Sequence, residues 1–154
     1  MKGSRKVRAG ILSVAVVLCS QAGLEAAGSG LERSLYERLN GERRKHGLDA
    51  LKWNGALAAA ARQHAQEMAK HKLLEHRLPN EPSLPARATK AGAKFVTIAE
   101  NIVRSPSVPD AHGQFMSSPA HRANILDRDV DSVGIGVASH GRELFVVEDF
   151  AKAK

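Results

Sequence analysis

Residues 131–139, DSVGIGVAS, and 143–151, ELFVVEDFA, decide the fold class. Both runs are rich in β-branched and aromatic residues and flank His140-Gly141, which predicts a C-terminal β-hairpin. In the first run Val133, Ile135 and Val137 alternate with Gly134, Gly136 and Ala138. One face of that strand carries almost no side chain, which suits the close approach of another backbone.

Upstream of the hairpin the pattern is helical. Leu31, Leu35 and Leu39 recur at i, i+4 and i+8, while Arg33, Glu37, Glu42, Arg43 and Arg44 lie off that stripe. With Ser29 as N-cap and Gly47 just past the end, this predicts a helix over 31–46. Residues 48–53 (LDALKW) read as a connector anchored by Leu48, Leu51 and Trp53. Asn54 caps a second helix over 55–73, with Leu57, Ala61, Ala65 and Met68 on its apolar face. Pro79, Pro82 and Pro85 mark 75–85 as a loop, after which Ser83 can start a short helix to Ala91, closed by Gly92. Phe95 to Ile98 suits a short strand, 104–109 (RSPSVP) a loop and 110–116 a short helix. Ser118-Pro119 opens another helix, since proline fits the first helical position. Helices first and a hairpin last predict an α+β domain, its helices packed on a small antiparallel sheet.

The first residues read differently. Lys2, Arg5, Lys6 and Arg8 precede an apolar run, 9–18, that matches a signal-peptide core and is too short to span a bilayer. Ser20 and Ala22 offer small residues for cleavage. The expected organisation is a signal peptide at 1–22, a flexible leader at 23–30 and one domain at 31–151. An uncleaved anchor is the alternative. Cleavage would lower the formal charge from +7 to +3 by removing those four basic residues. The high pI is therefore largely a property of the leader, which argues against a nucleic-acid partner. The lone Cys19 follows Leu18, where a lipidation signal needs a small residue. A mature chain without cysteine must be held by packing. The expectation is a secreted or periplasmic monomer with no transmembrane segment after cleavage.

Several stretches, in order, resemble the bacterial CAP (SCP) domain, of the superfamily of cysteine-rich secretory proteins, antigen 5 and pathogenesis-related class 1 proteins. They are Leu39-Asn40 with Arg43 and Gly47-Leu48, then Leu51 to Asn54, then Leu57, Ala61, His64, Ala65 and Met68. His76, Glu100-Asn101-Ile102, Ser118 to Leu126 (SPAHRANIL) and Val133 to Val137 follow. The resemblance covers about 31–150, and SPAHRANIL is its most specific element. It implies a three-layer α-β-α sandwich with a cleft lined by 76–100 and 104–118. It also implies that His76, Glu100 and His121 converge there, with Ser118 in place of the fourth, acidic member found in eukaryotic relatives.

Two imidazoles and a carboxylate suit zinc or another divalent metal with a position left for water. His121, in the first turn of a helix, is expected neutral, the form that binds metal. Glu100 lies among Ile98, Ala99, Ile102 and Val103, so once buried it needs a histidine or a cation beside it. The same groups can also close a polar network without any ion. His71 to His76 (HKLLEH) is one residue too long for a zinc-peptidase helix motif, and places its histidines about 140° apart. His64 reads as a packed histidine bonded to backbone, and His46 and His140 as solvated. Glu148 or Asp149 could supply a missing acid, and Asn101 and Asn124 are expected to satisfy backbone at turns. Three functions follow: a binding module for a small apolar or cell-envelope ligand, a structural or interaction domain of the envelope, and a metal-dependent envelope hydrolase. The first is preferred, and an enzyme ranks last.

Overall fold

A computed structural model describes residues 29–154; the predicted signal peptide and most of the leader lie outside the described residues. Helix α1 (Gly30–Lys45) begins with a capping box, in which Ser29 Oγ accepts from the Glu32 N–H and Glu32 reaches back to the Ser29 N–H. Two readings change here. Leu31 is largely exposed and Glu32 is buried, because Glu32 takes a two-point ion pair from Arg62 at 2.9 and 2.8 Å. The apolar stripe therefore starts at Leu35.

The 48–53 connector contains a strand, β1 (Lys52–Trp53). Tyr36 and Asn40 of α1 hold it from behind, both donating to the Leu51 carbonyl, and Tyr36 meets Trp53 edge to face. Helix α2 (Gly55–His71) is capped by Asn54 and ends at Lys72, which adopts the left-handed conformation. Helix α3 (Leu84–Lys90) follows the proline-rich loop.

Strand β2 (Phe95–Ser105) is far longer than the four residues expected, and α4 (Val108–Ser117) begins just past it, so the 104–109 loop shrinks to two residues. The strand's inner half is buried, so no alternation of apolar and polar residues marks it. Helix α5 (Pro119–Ile125) leads to the hairpin β3 (Ser132–His140) and β4 (Glu143–Ala153), turned by Gly141-Arg142 with Gly141 at positive φ.

The sheet order is β1-β3-β4-β2. Strands β2, β4 and β3 are antiparallel, whereas β1 adds to β3 in parallel, so the sheet is mixed and not purely antiparallel. One face packs Val133, Ile135, Val146 and Phe150 against Leu35, Leu39, Phe115 and Ile125 of α1, α4 and α5. The other packs Phe145 and Val147 against Ala61, Ala65 and Met68 of α2. This is the three-layer α-β-α sandwich. The glycine-rich face of β3 meets α2: a Cβ on Gly134 would lie 2.1 Å from the Ala58 nitrogen, and one on Gly136 would lie 2.2 Å from the Ala61 carbonyl carbon. Helix and strand touch backbone to backbone.

Candidate functional site

Glu100 sits on the inner half of β2, directly opposite Asp149 of β4. Its side chain is 3% exposed, so its charge must be met inside the protein. His76 meets one oxygen, its Nδ1 lying 2.9 Å from Glu100 Oε1. Arg87 of α3 meets the other through Nη2. A buried carboxylate between a histidine and a guanidinium is what its apolar sequence setting demands.

The network extends inward from there. Arg87 also donates to the carbonyls of His76 and Pro82, which pins the 72–83 segment across the end of β2. His64, fully buried on α2, is not bonded to backbone. Its Nδ1 lies 2.8 Å from Glu81 Oε1, and its Nε2 is 3.9 Å from Glu100 Oε2. A buried histidine at the centre of an alanine-rich helix had carboxylates within reach only because residues 81 and 100 fold against it. Asp149 lies behind Glu100. Burial first, then the neighbouring Glu100 carboxylate, push its carboxyl well above the usual range, against the pull of Arg87.

His121 is the third residue of α5, its ring against Phe115 with centroids 5.3 Å apart. Burial, and then the charge on His76, hold its imidazole below the ordinary histidine range. Its main chain is anchored from the sheet: Asn101 donates from Nδ2 to the His121 carbonyl and to Glu148 Oε2, and Asn124 donates to Asn101 Oδ1. Asn101 is therefore a buried strand residue, not a turn residue. Glu148 lies on the opposite face of the sheet from Asp149, and burial pushes its carboxyl up to about 8 despite the Asn101 hydrogen bond. Ser118 occupies the N-cap position of α5 without a side-chain capping bond.

The fold thus bonds His76 to Glu100 and brings His121 within electrostatic reach of His76. It makes no hydrogen bond between His121 and Glu100 or Ser118. Both Glu100 oxygens are engaged, and among the described residues no three His, Cys, Asp or Glu side chains are grouped so as to hold a metal ion. As folded, Glu100 is committed to His76 and Arg87, while His121 stands outside this hydrogen-bonded network. Sequence reasoning missed Arg87 and Glu81. The requirement that a buried Glu100 find a cation was the signal for Arg87, and none pointed to Glu81.

A groove of about 460 Å³ lies between α2 and the 72–83 segment, lined by Leu73, Leu78, Pro79 and Pro82 with the polar Glu67 and His71 among its walls. It takes in only the start of the expected 76–100 rim and none of 104–118.

The model of the cysteine-rich secretory protein (CAP) family matches residues 36–150. The chain belongs to this family. CAP relatives include the uncharacterized protein YkwD of Bacillus subtilis, 30% identical over 114 residues, which are 73% of this chain and 44% of that protein. The chain thus spans less than half the length of the curated relatives it matches. An extracellular SCP-domain protein of Bacillus anthracis superposes with a TM-score of 0.73 at 24% identity, over 78% of this chain and 39% of the other. An outer surface protein of Borrelia burgdorferi does so at 0.74 and 20% identity, over 80% and 93%. These two likenesses show the CAP sandwich alone.

Proposed function

We propose that this CAP protein is exported and acts as a binding module for a small ligand with an apolar portion, drawn from the cell envelope. The groove between α2 and the 72–83 segment carries the reading. Its volume falls within the range typical of small-molecule sites, and Leu73, Leu78, Pro79 and Pro82 give it an apolar portion beside the polar Gln63, Glu67, His71, Asn80 and Glu81. Leu73, 43% exposed at its wall, is an apolar side chain left for a ligand to cover. Two further observations support the reading. Both Glu100 oxygens are taken, by His76 and Arg87, which suits a structural tie better than a free general base. The basic n-region and apolar run at 1–22 suit export, and no helix among the described residues is long and apolar enough to cross a membrane.

The test is calorimetric titration of the purified protein with palmitate and with solubilised bacterial lipid, comparing wild type with Leu73→Glu. Saturable binding weakened at least tenfold in the variant is expected. No saturable binding to either probe removes the reading. Zn²⁺ titration of wild type and His76→Ala/His121→Ala addresses the metal alternative: stoichiometric uptake lost in the double variant would mean the network opens around an ion.

A further inference from the structure

Arg43 belongs to the most conspicuous charged cluster of α1, yet neither the groove nor the His76 network uses it. Its side chain is buried at 2% exposure. Nε donates to the Asp49 carbonyl at 2.8 Å, and Nη1 donates to the carbonyls of Ile125 and Asp127 at 2.9 and 2.7 Å. Those three bonds join the α1–β1 loop to the end of α5. They account for three of the five guanidinium N–H groups. No acceptor is found for Nη2 among the described residues.

Arg43 lines a pocket of about 470 Å³ between the α1–β1 loop and the start of β3. Lys52, Arg128 and Lys152 line it too, along with the carboxylates of Asp49 and Asp131. Asp131 is already engaged, by Lys152 at 3.1 Å and by the Ala153 N–H. Lys52 and Arg128 have no ion-pair partner among the described residues. Lys152 and Asp131 offset each other, and Arg43, Lys52 and Arg128 then face Asp49 and the nearby Asp127, so the pocket keeps a small positive excess. A guanidinium held rigid by three carbonyls keeps one free amino group, Nη2, already fixed in place, and its two N–H groups can donate to oxyanion oxygens at little entropic cost.

We propose that this pocket binds an oxyanion of the phosphate class, with the free Nη2 amino group of Arg43 as its floor and Lys52, Arg128 and Lys152 around it. The site shares no residue with the groove between α2 and the 72–83 segment and does not depend on the function assigned there. Its size leaves room for an organic group attached to the phosphate, so the source is either a soluble phosphate or a lipid headgroup.

The experiment is a ¹H–¹⁵N NMR titration of the purified full-length protein with inorganic phosphate, ionic strength being held constant with chloride. Saturable shifts are expected at the amides of Lys52, Arg128 and Lys152 and at Arg43 Nε–H. Lys52→Glu/Arg128→Glu, at exposed positions, should weaken binding at least tenfold, while Lys70→Glu on α2 should change it less than twofold. Arg43→Lys keeps the charge and loses the Nη2 amino group; a folded spectrum with weakened binding supports the floor assignment, and one with unchanged binding overturns it. Vesicles of phosphatidylglycerol, compared with phosphatidylcholine, separate the sources: either a vesicle or a free-phosphate response that the rim double variant abolishes supports the site. Shifts that never saturate, or that survive unchanged in that variant, overturn it.

Discussion

Replacing Gly134 by alanine places one methyl group where α2 already stands. The added Cβ would lie 2.1 Å from the Ala58 nitrogen and 2.3 Å from the Leu57 carbonyl carbon. Both are backbone atoms of a helix, so no rotamer change relieves the contact. Restoring ordinary van der Waals separation requires α2 to retreat by roughly 1.3 Å, against a close-packed interior. That retreat loosens Leu57, Ala61, Ala65 and Met68, all fully buried. Overpacking of this kind costs about 1–3 kcal/mol and more where backbone must move, so about 3 kcal/mol or greater is expected. The control is Gly113→Ala. Gly113 lies in α4 with nothing within 4 Å of its would-be Cβ and no positive φ. There the same methyl should stabilise by about 0.5–1 kcal/mol, by lowering the chain entropy lost on folding. Urea unfolding of the two variants beside wild type reads both numbers. If Gly134→Ala is as stable as Gly113→Ala, the backbone-to-backbone packing of α2 on β3 is wrong.

Three other outcomes follow from the buried polar groups and caps. Glu148, near 4.5 when unfolded and about 8 when folded, keeps its proton only in the folded state between those values. Stability should therefore fall as pH rises from about 4.5 to 8, by at most about 1.4 kcal/mol per unit. Glu148→Gln should flatten that slope in urea midpoints taken from pH 5 to 8; an equal slope in both proteins would refute the assignment. Arg87→Ala leaves the Glu100 carboxylate buried without its cation and should cost about 3 kcal/mol or more in thermal or urea unfolding. A loss below 1 kcal/mol would mean Glu100 is satisfied without Arg87. Asn54→Ala removes two capping bonds from α2 and should cost about 1 kcal/mol, whereas Ser83→Ala, at a cap position without a side-chain bond, should cost less than half of that. Equal losses in chemical denaturation would remove the distinction.

The parts of the fold that were legible are those with a local period. The i, i+4 spacing of Leu35 and Leu39 and the alanine stripe of α2 mark helices, and the Val/Gly alternation at 133–137 anticipates the bare strand face on which α2 lies. Strand β2 was legible only at its outer end, because its inner half is buried between helical layers and alternation is lost. Strand β1 is two residues long and exists only because β3 lies beside it. The site divides in the same way. That a buried Glu100 needs a histidine or cation is readable from its neighbours, and His76 and Arg87 meet that need. Which cation, and that His64 would face Glu81, depends on how α3 and the proline-rich loop fold over α2. No spacing along the chain encodes that.

The support beneath His121 separates the backbone from the rim. Its carbonyl hangs from Asn101, whose own side chain is gripped by Glu148 and Asn124, so the imidazole is surveyed from the middle of the sheet. A change of length or charge in the segments around the rim can therefore leave the His121 backbone where it is.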